Sequence, residues 1–163
     1  MNPSLTILRD KAIEAVIESM ENLAFIEVGP AESDMNYEQT VNWLDLDWYY
    51  MTIFIYSPFA GEMRLIVPGP VVTVMAKNMW LLEENEISAQ LKEDLLKEVL
   101  NVIAGRILIE IVPPNETFQL GIPDAGRDSF LKLQTASIAI DFKMKGLPFW
   151  LVLVGDQLLG WKK

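Results

Sequence analysis

The sequence predicts an α+β domain in which a helix–strand–hairpin unit occurs twice. The two copies build one central multi-stranded sheet with long helices packed on it. Three observations carry this expectation. Two long segments, 5–22 and 88–107, repeat apolar residues at helical spacing. Two β-rich runs, 48–67 and 135–155, each fold back at a short turn. The order helix, strand, hairpin at 5–67 recurs at 88–155, with 70–82 between the halves. The period exceeds that of solenoid repeats and there are only two copies, so one domain spanning 1–163 is expected.

In 5–22, Leu5, Leu8, Ala12, Ala15, Val16 and Met20 share one helical face. The strand-like LAFIEV at 23–28 follows, and Gly29-Pro30 ends it. Residues 31–42 are polar and read as a loop. The run WYYMTIFIY at 48–56, a short loop at 57–61 and GEMRLIV form the first hairpin. Pro68-Gly69-Pro70 then breaks the strand, and Pro70 suits the first turn of a helix over 70–82. After the second long helix, Pro113-Pro114-Asn115-Glu116 is a turn. TFQLGIP at 117–123 reads as a strand ending at Pro123, and 125–129 as a loop. Residues 135–142 and FWLVLVG pair across Lys145-Gly146-Leu147-Pro148. Residues 156–163 read as a frayed tail whose apolar residues can dock.

Composition narrows the chemistry. Half the residues, 51%, are hydrophobic, which suits a packed core. No apolar run reaches the roughly 18 residues of a membrane span, and the N-terminus lacks a signal-peptide layout. A soluble cytoplasmic protein is expected. There is no cysteine and no histidine, so disulfides, thiolate metal sites and imidazole catalysis are excluded. Any catalysis must use carboxylates, amides, hydroxyls or lysines, or groups lent by a partner. A net charge of −10 argues against nucleic acid and suits a partner with a basic patch.

The helix at 88–107 carries the most informative pattern. Leu91, Leu95, Leu96, Val99, Leu100, Val102, Ile103 and Ile107 fill a broad core arc, with Ser88 placed to cap the N-terminus. The narrow remaining arc holds Asp94, Glu98, Asn101 and Gly105, at offsets 0, 4, 7 and 11. Asn is an indifferent helix former, and Gly in a helix interior costs about 1 kcal/mol relative to Ala. A plain solvated face explains such a stripe, with the glycine admitting a neighbouring backbone. Asp45 and Asp47 read as solvated alternates at a strand start, and Glu83, Glu84 and Glu86 as a charged loop. No P-loop, dinucleotide fingerprint or nucleophile elbow is present.

The order Asp-x3-Glu-x2-Asn-x3-Gly resembles the signature helix of the CheX/CheC family of chemotaxis phosphatases. In that family the helix carries Asp or Ser, then Glu, then Asn at this spacing. The likeness extends along the chain, through AIEAVIESMENLAFIEV, GEMRLIV with its following helix, and LGIPDAG downstream of the motif. It implies a CheC-like fold and a phosphatase for the aspartyl phosphate of a CheY-like receiver domain. The pathway implied is chemotaxis or related two-component signalling.

Carried over by position, Glu98 and Asn101 match the working residues and Asp94 the upstream acidic position. Gly105 and Pro123 match the motif's glycine and final proline. The resemblance implies that Asn101 holds an in-line water and Glu98 pairs with a receiver lysine. It implies no cofactor of the protein's own, since the receiver supplies Mg²⁺, and it implies a homodimer. The first helix has Asp10 and Glu14 but Ile17 at the Asn position, so one site per chain is expected, as in CheX and unlike two-site CheC. Val99 and Leu100 within the motif, and the aromatics Trp43, Trp48, Tyr49 and Tyr50, depart from the family pattern. Two other readings compete: a non-catalytic CheX-like module that binds a receiver or another signalling protein, and a structural domain whose stripe is only surface.

Overall fold

The computed structural model describes residues 3–30, 46–125 and 136–161. The expected loop at 31–42, Trp43, Asp45, Thr135 and most of the loop at 125–129 lie outside the described residues. In chain order the elements are α1 (Pro3–Ala24), β1 (Gly29–Pro30), β2 (Trp48–Ser57), β3 (Gly61–Pro68) and α2 (Gly69–Trp80). A 3-10 turn, Glu84–Glu86, leads to α3 (Ala89–Ile111). Then follow β4 (Gln119–Leu120), β5 (Asp124–Ala125), β6 (Ser137–Met144), β7 (Leu147–Val154) and α4 (Asp156–Leu159).

The strands form one antiparallel sheet in the order β1-β6-β7-β3-β2-β4, with β5 also on β2. Exchanging the halves, β1 for β4 and β5, β2 for β6, β3 for β7, returns the same order read backwards. The duplication expected from the sequence is therefore built into the sheet. Its axis falls at the β3–β7 pair, where Leu65 faces Leu151. Each half also lends its short strand to the other half's hairpin: β1 pairs with β6, and β4 and β5 pair with β2.

Strand alternation decides which face the helices cover. Met51, Ile53 and Ile55 of β2, Met63, Leu65 and Val67 of β3, and Leu151 and Leu153 of β7 point into the main core. They meet Leu95, Leu96, Val99, Leu100, Ile103 and Ile107 of α3 and Leu8, Ala12, Val16 and Met20 of α1. On the opposite face Ile66, Val152 and Val154 pack with Trp48, Tyr50 and Trp150 in a smaller cluster. The Trp48 and Trp150 rings lie 5.4 Å apart at 34°.

Several elements differ from expectation, each for a physical reason. The strand expected at 23–28 is absent. The helix instead runs through Ala24, and Phe25 turns the chain at φ 52 while the amide of Ile26 donates to the Met20 carbonyl at 3.2 Å. Ile26 and Val28 alternate into the core, which mimics a strand in sequence, but ladder pairing begins only at Gly29. The strand expected at 117–123 splits into β4 and β5 on either side of Pro123, which has no N–H to offer the ladder. The acidic run before α3 forms a 3-10 turn closed by a reciprocal Glu83–Glu86 capping box.

α3 runs one turn further than 107, because Leu108 and Ile111 continue the buried face. The tail is docked: Leu158 is fully buried, Trp161 is buried, and Gln157 accepts from the Ala60 amide at 2.8 Å. Its close approach depends on Gly61, where a Cβ would stand 2.8 Å from Leu158 Cβ. The second hairpin turns at Lys145-Gly146, both with positive φ, as a two-residue hairpin loop requires.

Candidate functional site

The site is a line along α3. Ser88 caps the helix, its hydroxyl accepting from the Leu91 amide at 3.2 Å. Leu95, Leu96, Val99, Leu100, Ile103, Ala104 and Ile107 are completely buried and lock the helix to the sheet. Val99 and Leu100, which depart from the family pattern, therefore point into the core and leave the stripe alone. Side chains on the opposite arc stand on a fixed backbone, which a docking site requires.

Asp94, Glu98 and Asn101 are all exposed. Asp94 accepts from the Gln90 side-chain amide at 2.9 Å and lies 4.0 Å from the Lys97 ammonium. The side chains of Glu98 and Asn101 have no hydrogen bond or ion pair among the described residues. Three apart on one helix, their Cβ atoms lie about 5–6 Å from each other. A carboxylate and a primary amide thus face solvent side by side. The carboxylate is an acceptor for a cation, and the amide offers both a donor and an acceptor.

Gly105 is half-buried on the same line, and a Cβ built there meets nothing within 4 Å. The expectation that it lets the helix lie close to its neighbours is thus not met inside this chain. The glycine faces open space. Pro123 is half-buried in the link between β4 and β5, with Ile122 beside it 87% exposed, and β5 lies against α3.

The matching line on α1 differs in two ways. Ile17 is half-buried where α3 has its amide, and Glu14 is already engaged by Lys11 at 2.8 Å. That hydrogen bond is the main cause that raises the Lys11 pKa. The contacts between the two helices leave no signal in the sequence. Arg106 of α3 binds Glu18 of α1 at 2.5 Å, and Lys11 approaches Glu110 to 3.5 Å. No local pattern announces pairs so far apart in the chain.

Grooves of about 690 and 530 Å³ lie elsewhere, and neither includes Glu98 or Asn101. Among the described residues no three acidic side chains gather as a metal would need. Nor is any helix among them long and apolar enough to cross a membrane.

No family model and no curated protein matches the sequence. Solved structures do match. A chemotaxis protein CheX from Vibrio vulnificus superposes with TM-score 0.70 at 13% identity, over 89% of this chain and 93% of that one. A CheC-like superfamily protein from Shewanella sp. PV-4 gives 0.69 at 12%, over 94% and 98%. The CheX–CheY–BeF3–Mg²⁺ complex from Borrelia burgdorferi gives 0.63 at 12%, over 89% and 95%. At such identities the likeness speaks of architecture: this chain has the fold of the CheX/CheC-like chemotaxis proteins.

Proposed function

We propose that the protein is a phosphatase for the aspartyl phosphate of a CheY-like receiver, working in the cytoplasm in chemotaxis or related two-component signalling. The observation that carries this reading is the pair Glu98 and Asn101, exposed and unengaged on a helix locked to the sheet. A pair that lines none of the described grooves suits a substrate that brings its own pocket. A receiver does so, because its phosphoryl group sits in an acidic cleft beside its own Mg²⁺ and lysine. The CheX structure solved with CheY, BeF3 and Mg²⁺ supports the choice of partner.

In the reaction a water oxygen attacks phosphorus in line with the acyl P–O bond. That bond breaks, the receiver's aspartate leaves as carboxylate, and both protons of the water depart with the inorganic phosphate as H2PO4−. An acyl phosphate is already activated, so positioning dominates and no strong general base is needed. The Asn101 side-chain carbonyl accepts a hydrogen bond from the water and aims it, while its NH2 donates to the phosphoryl oxygens. Glu98, one turn earlier, pairs with the receiver's lysine and fixes the docking angle. Asp94 adds negative potential at the rim. Gly105 leaves the helix bare for the receiver's approach, and Pro123 shapes the adjoining link.

The protein needs no cofactor of its own in this scheme. A homodimer belongs to the same reading. Among the described residues, β1 covers the outer edge of β6 only at Phe142 and Lys143, which leaves the rest of that edge able to pair in an isologous contact. Sedimentation at micromolar concentration is expected to show a dimer, and a monomer there removes that part. The deciding experiment mixes the protein with candidate phosphorylated receivers from the same genome and follows phosphate release. Binding without release leaves only the docking module.

A further inference from the structure

The stripe on α3 does not stop at Gly105. One turn on, Ile109 lies about 60° around the helix from Asp94, only about 20° beyond Glu98. It is 68% exposed, on a helix whose other isoleucines, Ile103, Ile107 and Ile111, are completely buried. Ile109 also borders a shallow cavity of about 240 Å³ between α1 and α3, lined besides by Ala15 and the charged Lys11, Glu14, Glu18, Arg106 and Glu110. The charged groups around that cavity are matched to each other: Arg106 with Glu18, and Lys11 with Glu14 and Glu110.

An apolar side chain ringed by satisfied polar groups has the anatomy of a binding hot spot, a dry centre inside a wet rim. The ion pairs satisfy one another, so what a partner gains here is apolar contact with Ile109 itself. Glu98 and Ile109 are 11 residues apart, about 16 Å along the axis. One receiver face spans that distance easily, given that standard interfaces bury about 800 Å² per partner.

We propose that Ile109 is the apolar anchor of receiver docking, and that a receiver apolar side chain packs against it while Glu98 and Asn101 occupy the phosphorylated cleft. The proposal rests on the phosphatase reading and assigns it a specificity-determining residue. The occupant follows from continuity, since Ile109 extends the same exposed line that carries the catalytic pair. Receivers with an apolar residue about 16 Å from the phosphorylated cleft are bound; those with a charge there are rejected, since a charge cannot be desolvated against Ile109 without a partner.

The test uses the full chain and the receiver that it dephosphorylates. Dephosphorylation is measured against protein concentration, and affinity is measured for the beryllofluoride-activated receiver. Ile109→Ser is expected to raise both the half-saturating concentration and the Kd at least tenfold while the plateau rate holds. Ile109→Leu restores both. Asn101→Ala shows the converse, a lost plateau with affinity retained. Leu81→Ser, at an apolar residue 89% exposed at the end of α2, serves as the control and changes neither.

If Ile109→Ser keeps the parent affinity while Asn101→Ala abolishes turnover, the anchor is wrong and the phosphatase reading stands. Equal weakening by Leu81→Ser also overturns the anchor, because the effect is then general stickiness. If Asn101→Ala and Glu98→Ala both leave turnover intact, the phosphatase reading fails and takes the anchor with it.

Discussion

Replacing Gly105 by alanine separates what the helix wants from what a partner wants. In the folded chain the new methyl group has room, since no heavy atom lies within 4 Å of the position it takes. Its backbone is helical, near the middle of α3, so no left-handed conformation demands glycine. Alanine then recovers the helix propensity that glycine forgoes, about 1 kcal/mol. For a protein of this length that raises the melting temperature by roughly 2–4 °C. Thermal unfolding followed by circular dichroism reads this directly. Affinity for the activated receiver is expected to move the other way, because the methyl group stands where the partner approaches. A stabilised protein with weakened docking fits the reasoning. A melting temperature that falls means that Gly105 serves this chain's own packing. A variant that is stabilised and docks like the parent leaves the glycine without a role in recognition.

Four further outcomes are expected. Asn101→Ala lowers receiver dephosphorylation by roughly 100-fold, the scale for removing one transition-state hydrogen-bonding group, and leaves the melting curve unchanged. Glu98→Ala loses affinity as well as rate, and Glu98→Lys loses more because it sets like charges together; stopped-flow phosphate release beside a binding titration checks all three. Leu81→Gly stabilises the protein by up to about 1 kcal/mol in chemical denaturation, because Leu81 holds φ 55 at the end of α2 while 89% exposed. Ser19→Ala also stabilises, by about 1 kcal/mol, because the completely buried Ser19 hydroxyl has no hydrogen-bond partner among the described residues.

What could be read from the sequence follows the range of the forces involved. The heart of α3, its Ser88 cap, both hairpins and α2 are set by local periodicity and turn chemistry, and all are present as expected. The exposure of Asp94, Glu98 and Asn101 was equally legible, since a narrow polar arc opposite a broad apolar one has only one way to face. The failures lie where a distant partner decides. Residues 25–28 alternate like a strand, yet a strand also needs a neighbour to pair with, and the first one reached is β6 at Gly29. The tail reads as frayed because its eight residues carry little signal of their own. It docks because Gly61, nearly a hundred residues upstream, leaves space for Leu158. Gly105 shows the opposite error: a glycine in a helix suggested an intramolecular neighbour where the structure has open space.

The palindromic order of the sheet also bears on how the chain is made. Synthesis proceeds from the N-terminus, so β2 and β3 leave the ribosome well before β6 and β7 exist. Until β7 arrives, β3 shows a bare edge of Glu62, Met63, Arg64, Leu65 and Ile66, a run that invites pairing with any other strand. The short strand β1 has no place to bind until β6 follows it. The nascent protein therefore cannot complete half of its fold and wait for the other half. Chaperone protection of the β3 edge matters for the whole span of translation between residues 68 and 147.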